Sequence, residues 1–209
     1  DRRGVMVDLG SAEAILTANE QINGEDYTPG KRMKFYVYEV NRTTKSVNLM
    51  VSRTHPGLVK KLFESEVPEI ADGTVQIMSI AREAGSRTKI AVFAENENVD
   101  AVGSCVGQKG GRVANVVEEL NDEKIDIIEY SEDPAQYISA ALNPAKDLSV
   151  EINEENKSAL VTVPEFQLSL AIGKSGQNVR FATKLTGWKI DIKSLSQVEE
   201  SGYYEQSSQ

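Results

Sequence analysis

The sequence predicts a multidomain α+β protein in which a partial β-barrel is followed by two copies of one helix-and-strand unit. A G-x-x-G pattern occurs twice, at 107–110 and 173–176, each time between two apolar helical patterns. A strand reading K-I-D-I follows each copy, at 124–127 and at 189–192. The first 56 residues differ, because they show short strands and turns.

The spacing of the two copies indicates a duplicated domain. The glycine onsets lie 66 positions apart (107 and 173) and the strand onsets 65 apart (124 and 189). Helix, G-x-x-G turn, helix and strand in this order form the RNA-clamping core of a KH domain. We therefore predict two type II (bacterial) KH domains with the order α-β-β-α-α-β, at 57–132 and 133–196.

Apolar periodicity places the elements of both units. The first predicted KH domain begins with a helix at 56–66, followed by strands at 74–80 and 89–94. A helix from about Val99, the clamp, a second helix and a strand ending near Tyr130 complete it. The second predicted KH domain has a helix from Pro134, strands near 148–152 and 159–163, and the second clamp. Periodicity is lost from Gln197, so we predict a disordered tail at 197–209.

The pattern of short strands and turns at 1–56 predicts an OB-type barrel. Strands are expected from Val5, at 34–40 and at 46–52, with a short helical stretch at 11–21. An OB barrel has five strands, and this chain opens in what looks like the middle of the sheet, so we expect an N-terminally truncated barrel. Aromatic and basic residues interleave at 31–38, an arrangement typical of base stacking, although at least one ring has to face the core.

The clamp requires particular residue types. A phosphate backbone has to approach the main chain closely, and glycine leaves room for it. The helix that follows presents free N–H groups to an anion, and a lysine lies between the glycines of each copy. The strand edge could then meet bases. The residues predicted to bind RNA are Gly107, Gln108, Lys109, Gly110, Arg112, Ile125 and Ile127 in the first copy, and Gly173, Lys174, Ser175, Gly176, Asn178, Arg180, Ile190 and Ile192 in the second.

Charge is segregated along a chain whose net charge is −9. Residues 30–61 contain eight Lys/Arg and one Glu, and residues 170–193 contain five Lys/Arg and one Asp. Acidic residues cluster at 64–72, 118–123 and 129–133. This pattern favours a basic track of limited extent over indiscriminate binding of polyanions.

The composition argues against catalysis, metals and membranes. With one His and one Cys, a closed zinc site and histidine-based nucleophilic catalysis are disfavoured, and we predict no cofactor and no enzyme activity. Cys105 lies among valines and is expected to be a buried hydrophobe, while His55 is expected in a connector. A lone cysteine fits a reducing compartment, so we expect a cytoplasmic protein. No apolar run is long enough to span a membrane.

Several sequence blocks together resemble the NusA family of bacterial transcription elongation and termination factors. These blocks are 7–10, 49–56, 66–73, 80–92, 102–107 and 167–180, and the resemblance runs from the first residue to about Ser194. It implies an S1 domain and two KH domains that bind nascent single-stranded RNA during pausing, termination and antitermination. It also implies that RNA polymerase is contacted through the family's N-terminal domain, which we expect this sequence not to include, with other transcription factors as further partners.

Three alternatives remain at this point. An RNA-processing exoribonuclease also joins KH and S1 modules, although such enzymes carry large catalytic domains ahead of them and usually one KH unit. A ribosomal KH protein is expected to be much more basic. The G-x-x-G turns could also be helix caps in a duplicated domain with no RNA-binding role.

Overall fold

A computed structural model of the chain describes residues 4–206, with side chains to residue 201. The chain divides into two compact units. Among the described residues, the first comprises 4–76, Arg82–Thr88 and Ala94–Asp126, and the second comprises Ile77–Ala81, Lys89–Phe93 and 127–206. These units differ from the predicted boundaries at 56 and 132, because Ile77–Ala81 and Lys89–Phe93, which lie in two neighbouring strands, belong with the C-terminal segment. Ala81 and Ala91, on those strands, pack in the hydrophobic core of the second unit.

The first unit begins with a four-stranded sheet of order β1-β2-β4-β3. Its strands are β1 (Val5–Asp8), β2 (Glu13–Leu16), β3 (Tyr36–Arg42) and β4 (Val47–Ser52). β2 runs antiparallel to β1 and parallel to β4, and β3 runs antiparallel to β4. This sheet fits a partial S1/OB-type domain. The helical stretch predicted at 11–21 is wrong, since these residues form β2 and a short 3₁₀ turn at Ala18–Glu20. Pairing on both sides of β2, which buries Ala14 and Leu16, overrides the local helix preference.

The helices of the first unit are α1 (Pro56–Glu66), α2 (Pro68–Ala71), α3 (Ala101–Val106) and α4 (Gly111–Glu119). α1 begins where the sequence predicts, because Pro56 occupies its first turn and the His55 side chain accepts a hydrogen bond from the Gly57 N–H. The four apolar residues on its predicted face are all buried, namely Leu58, Val59, Leu62 and Phe63. His55 is therefore the N-cap residue of α1.

A three-stranded sheet of order β5-β6-β7 follows in the chain. Its strands are β5 (Gln76–Glu83), β6 (Arg87–Phe93) and β7 (Lys124–Glu129), and each contributes residues to both units. From α1 to β7, the predicted order α-β-β-α-α-β is confirmed, with α2 as an additional short helix.

The second unit repeats the same order from α5 onwards. Its elements are α5 (Pro134–Ala141), β8 (Ser149–Asn153), β9 (Ser158–Val163), α6 (Leu168–Ile172), α7 (Gln177–Thr186), β10 (Lys189–Ser194) and α8 (Leu195–Gln206). β9 lies between β10, which is parallel to it, and β8, which is antiparallel. Helices α5 and α7 bury Ile138, Ala141, Phe181 and Ala182 in the core of this unit.

The C-terminal segment differs from the disordered tail expected at 197–209. α8 continues the chain as a helix to Gln206, and 207–209 lie outside the described residues. The Ser194 N–H donates to the Gln197 side-chain oxygen at 2.8 Å, and the Gln197 N–H donates to Ser194 Oγ at 3.3 Å. This reciprocal pair is a capping box, which starts a helix even without an apolar stripe. The S-x-x-Q spacing in the sequence could have indicated it.

A buried arginine joins the barrel segment to α4 within the first unit. The Arg53 side chain is fully buried, and it donates to the two carboxylate oxygens of Glu25 at 2.9 and 2.6 Å. It also donates to the backbone oxygen of Lys34 at 2.9 Å and to the backbone oxygen of Glu119 at 2.9 Å. The Glu119 carboxylate lies 3.3 Å from the guanidinium. Arg53 is thus part of a structural ion pair and not of the basic track that the sequence predicts at 30–61.

The pKa of Glu25 reflects this pairing. Burial by itself would raise the pKa, but hydrogen bonds from Arg53 and Tyr27 and the charge of Arg53 outweigh burial and hold the pKa below its ordinary value of 4.5. A carboxylate with a lowered pKa stabilises the fold above its unfolded-state pKa. This stabilisation is lost as the pH falls through the folded-state value.

We therefore expect the free energy of unfolding to decrease as the pH falls below about 4.5. Glu25→Gln should remove this part of the pH dependence. It should also lower the free energy of unfolding at neutral pH by about 3 kcal/mol, because Arg53 loses a buried charged partner. Urea unfolding between neutral pH and about pH 3 measures both effects.

Asp26→Asn is the matched control, since Asp26 pairs with Lys31 at 3.3 Å on the exposed surface. Exposed pairs contribute little to stability, so the control should unfold like the wild type at neutral pH. If Glu25→Gln has the wild-type stability and pH profile, the assigned role of the Arg53 network is wrong.

Candidate nucleic-acid interface

The two G-x-x-G loops have the same backbone conformation. In the first, the φ and ψ angles are 78° and 173° at Gly107, 55° and 28° at Lys109, and 72° and 15° at Gly110. In the second, they are 80° and 167° at Gly173, 55° and 27° at Ser175, and 73° and 13° at Gly176. The duplicated sequence therefore encodes a duplicated loop, although a lysine and a serine occupy its left-handed non-glycine position.

The first glycine of each loop is required by the chain's own packing. A Cβ on Gly107 would lie 2.6 Å from Arg112 Cγ, and a Cβ on Gly173 would lie 2.7 Å from Asn178 Cβ. Both glycines also have positive φ angles. From the sequence, these glycines are expected to make room for a ligand. The structure shows that contacts within the protein already exclude a side chain here.

The second glycine of each loop lies beside open space. A Cβ on Gly110 would meet nothing within 4 Å, and one on Gly176 would meet only the Arg180 guanidinium, at 3.9 Å. A ligand can therefore approach the main chain at this position. The preceding side chains, Gln108 and Lys109 in one loop and Lys174 and Ser175 in the other, are exposed. Helices α4 and α7 begin directly after the loops, so their first N–H groups and positive dipole ends lie at the same place.

Arg112 and Asn178 occupy equivalent positions, five residues after the first glycine, and both bind the preceding helix. Arg112 donates to the backbone oxygen of Ser104 at 2.8 Å and to the Glu69 carboxylate at 2.8 Å. Asn178 donates to the backbone oxygens of Leu170 at 3.2 Å and Ala171 at 3.1 Å. Ser104 and Leu170 are themselves equivalent, three residues before the first glycine. These side chains satisfy carbonyl groups that a helix end leaves without intrahelical partners.

The structure therefore gives Asn178 a role other than the RNA contact expected from sequence, because its side chain is buried and fully engaged. Arg180 is different. It is exposed, and its guanidinium donates to the Ser175 backbone oxygen at 2.9 Å, which places a cation beside the second loop. The equivalent position in the first copy is Ala114.

The four isoleucines of the K-I-D-I strands are half-buried. Ile190 and Ile192 pack against the core of the second unit, which is a structural role. β7 and β10, which carry Ile125, Ile127, Ile190 and Ile192, are nevertheless edge strands of their three-stranded sheets. Contact with bases from these strands therefore remains a prediction that rests on the edge position and not on the isoleucine side chains.

The surroundings of the two loops differ chemically. A groove beside the first loop is lined by Glu66, Glu69 and Asp100 together with Gln108 and Arg112. Arg112 and Glu69 form an ion pair in it.

The second loop has exposed apolar neighbours on and beside α6. Phe166 is 75% exposed, Leu170 47% and Ile172 36%. Phe166 is not among the residues predicted from sequence, because an isolated aromatic residue next to a helix gives no sign of its exposure.

The aromatic and basic segment at 31–38 contains both side chains that pack in the protein and side chains that are exposed. Phe35 packs against the core of the four-stranded sheet, as one ring was expected to do. Tyr36 stacks on His55, with ring centroids 4.5 Å apart and an interplanar angle of 18°. Lys31, Arg32 and Lys34 are exposed, so they remain candidates for phosphate contacts.

Other site chemistries find no support among residues 4–206. Burial, followed by the charge of Glu69, raises the pKa of the Cys105 thiol to about 11, so this buried cysteine is not an activated nucleophile. No group of three His, Cys, Asp or Glu side chains in the described part of the chain is arranged to hold a metal ion. No described helix combines the length and apolar character that crossing a membrane requires.

Comparison with known protein families matches both repeated units. A model described as the NusA-like first KH domain matches residues 53–130, and one described as the NusA-like second KH domain matches residues 134–200. These ranges lie close to the predicted units at 57–132 and 133–196.

Curated relatives match nearly the whole chain. A protein of Halalkalibacterium halodurans is 58% identical over 205 residues, which are 98% of this chain and 54% of that protein. A Bacillus subtilis protein is 56% identical, over 98% of this chain and 55% of its own length. A Thermus thermophilus protein is 50% identical, over 92% of this chain and 50% of its own length. All three are named transcription termination/antitermination protein NusA.

The chain thus spans about half the length of these relatives. The matched portion contains the duplicated G-x-x-G units and the strands of an S1/OB-like domain that precede them. This chain belongs to the NusA family and corresponds to its S1-KH-KH portion.

Proposed function

We propose that this chain binds nascent single-stranded RNA, and that it does so as part of a transcription factor that modulates RNA polymerase pausing, termination and antitermination. The observation that carries the proposal is the pair of G-x-x-G loops with matching backbone angles, each open at its second glycine. The names of the relatives, which refer to termination and antitermination, supply the biological process.

The proposed binding mode follows from the loop geometry. A phosphate approaches the main chain at Gly110 or Gly176, where no side chain stands in the way. The first N–H groups of α4 or α7 then face the anion, and the exposed Lys109 or Lys174 adds a charge-assisted contact. Each KH unit of this type holds about four nucleotides.

The proposed contact set is smaller than the one predicted from sequence. It comprises Gly107, Gln108, Lys109 and Gly110, and Gly173, Lys174, Ser175, Gly176 and Arg180. The buried Asn178 instead supports the second loop from inside, and the half-buried Arg112 supports the first loop through Ser104 and Glu69. The strand edges at Ile125, Ile127, Ile190 and Ile192 are proposed to meet bases through the backbone.

The partners and location of the whole protein are proposed from the family. RNA polymerase, and other transcription factors with it, would be contacted through parts of the longer relatives that lie outside the matched region. The lone cysteine and the process named for the relatives support a cytoplasmic location.

An RNA-processing exoribonuclease is the alternative from another functional class, and the comparisons do not favour it, since none of the three relatives is named as an enzyme. Incubating the chain with end-labelled RNA and inorganic phosphate separates the two functions. The proposal expects bound RNA of unchanged length, whereas phosphate-dependent shortening would support the exoribonuclease.

We expect negative charge at either loop to weaken RNA binding. Gln108→Asp with Lys109→Asp, or Lys174→Asp with Ser175→Asp, should each lower affinity for a short single-stranded RNA by about tenfold or more, since a hydrogen bond to a charged group contributes about 1.5–3 kcal/mol. The fold should be retained, because Asp tolerates the left-handed backbone at 109 and 175. Fluorescence anisotropy with a labelled RNA measures the change.

Asn at the same positions provides the matched control, because it keeps the shape and backbone tolerance of Asp without its charge. The Asn variants should bind more tightly than the Asp variants. Unchanged affinity with both loops carrying Asp would show that the loops do not hold phosphate.

We expect a modest dependence of RNA affinity on salt. A net charge of −9 with local basic segments suits neutralisation of about three to six phosphates, for which the slope of log affinity against log salt is about −2 to −4 on a single strand. Titrations at several salt concentrations give the slope. A slope near zero would instead indicate that this surface binds a protein.

We also expect this chain alone to bind RNA without prolonging polymerase pauses. An anchored RNA binder works at an effective concentration that reaches the millimolar range, whereas an unanchored one depends on its own affinity. A transcription assay should compare this chain with a full-length relative at equal concentration. If this chain prolongs pauses as well as the full-length protein does, it contains a polymerase contact of its own.

A further inference from the structure

Lys89 is a buried cation in the second unit. It lies on β6, and its exposed fraction is 0%. Its ammonium group donates to the backbone oxygens of Ala141, the last residue of α5, at 2.8 Å and of Asn143, two residues further on, at 2.6 Å. It also donates to the side-chain oxygen of Asn178 at 2.8 Å. A buried ammonium without such oxygens would be strongly destabilising, so this cluster constrains every group that takes part in it.

The Lys89 ammonium on one side and three backbone carbonyl groups on the other together set which way the Asn178 amide faces. An amide side chain has one accepting and one donating end, and a lysine ammonium can only donate. The Asn178 oxygen therefore has to face Lys89. Its nitrogen then faces the backbone oxygens of Leu142, Leu170 and Ala171, at 3.0, 3.2 and 3.1 Å.

This amide orientation matters to the second loop. Leu170 and Ala171 lie in the last turn of α6, and Gly173 follows immediately. Asn178 itself lies in the first turn of α7, directly after the loop. One side chain therefore connects the helix that enters the loop with the helix that leaves it. Lys89 supplies the donor that the buried oxygen of this side chain needs, and so helps to hold the connection in place.

The first loop achieves the same connection differently. There the equivalent residue is Arg112, which carries only donors and therefore needs no partner to orient it. It reaches both Ser104 and the Glu69 carboxylate. The support of the second loop thus includes a cation on β6, a strand outside the β10-β9-β8 sheet. Within the residues that the structure describes, the support of the first loop includes no such cation from another sheet.

We propose that Lys89 is a positioning residue for the second G-x-x-G loop, acting through Asn178, so that RNA binding at this loop and not at the first requires the Lys89 ammonium. The inference rests on the proposed RNA-binding function. It names a residue, 84 positions before the loop (89 and 173), that sets the geometry of the phosphate site without touching RNA.

The experiment uses the full chain in two backgrounds. In one, Gln108→Asp and Lys109→Asp disable the first loop, and in the other, Lys174→Asp and Ser175→Asp disable the second. Lys89→Met, which keeps the length of the side chain but not its charge, is added to each. RNA affinity should fall about tenfold further where only the second loop works and should change less than about twofold where only the first works. An equal fall in both backgrounds, or no fall in either, would overturn the proposal.

Asn178→Leu tests whether Lys89 acts through Asn178, and if Lys89→Met fails to give a cooperative thermal transition, the polar Lys89→Gln takes its place in both backgrounds. Asn178→Leu should produce the same loss, selective for the second loop. Where the Lys89→Met variant is folded, combining the two changes should cost little more affinity than either alone, because both interrupt one connection. Additive losses would show that Lys89 acts on RNA binding by another route.

A measurement without RNA separates this proposal from the proposed function. In ¹⁵N-labelled protein, Lys89→Met should shift the amide resonances of Gly173 and Gly176 and leave those of Gly107 and Gly110 in place. If the wild-type chain binds no RNA, the proposed function fails, while these resonances still report on the role of Lys89. Unshifted Gly173 and Gly176 resonances would overturn the positioning role itself.

Discussion

A buried cation has to be matched by oxygen atoms, and the tertiary structure depends on this constraint at Arg53, Arg82 and Lys89. In the first unit, Arg53 binds Glu25 and Glu119, and Arg82 binds Glu123 with both side chains fully buried. Glu123 also accepts from the Gly85 N–H and the Thr88 hydroxyl, so its carboxylate is well satisfied. In the second unit, Lys89 binds three oxygens of the C-terminal segment. Because a misplaced buried charge costs several kcal/mol, these contacts fix the register of segments that short connections alone would leave variable.

The need to pair buried polar groups also applies at the proposed RNA site, where different side chains support two loops of nearly identical backbone conformation. Arg112 holds the first loop through an ion pair in an acidic groove, while Asn178 holds the second through a buried amide next to an exposed apolar surface. A clamp that binds phosphate alone reads no sequence. Differences around the clamps therefore provide a physical basis for two KH units of one chain to prefer different nucleotides, although their backbones match.

Much of the fold and part of the site could be predicted from local pattern. The α1 helix, the order α-β-β-α-α-β and both loops follow from residues within a few positions of each other, since apolar periodicity and glycine backbone preferences act over that range. The segment at 11–21 was predicted incorrectly, because strand pairing with β1 and β4 decided its structure. The helix at Leu195–Gln206 was also unforeseen, although its S-x-x-Q cap is a local feature. Phe166 could not be recognised as exposed, since exposure depends on what packs beside it.

The sequence by itself determined that this chain contains a duplicated loop with a helix on either side, and therefore where an RNA backbone could be held. Only the tertiary structure decided which charged and polar residues serve that loop and which serve the fold. Arg53 lies in a basic segment but is buried against Glu119, and Asn178 lies in the clamp motif but points inward to Lys89. The physical reason is the separation of the interacting residues along the chain. The partners in these two contacts are 66 and 89 positions apart in the chain, so no local pattern contains them, whereas burial and charge pairing in the folded protein determine them completely.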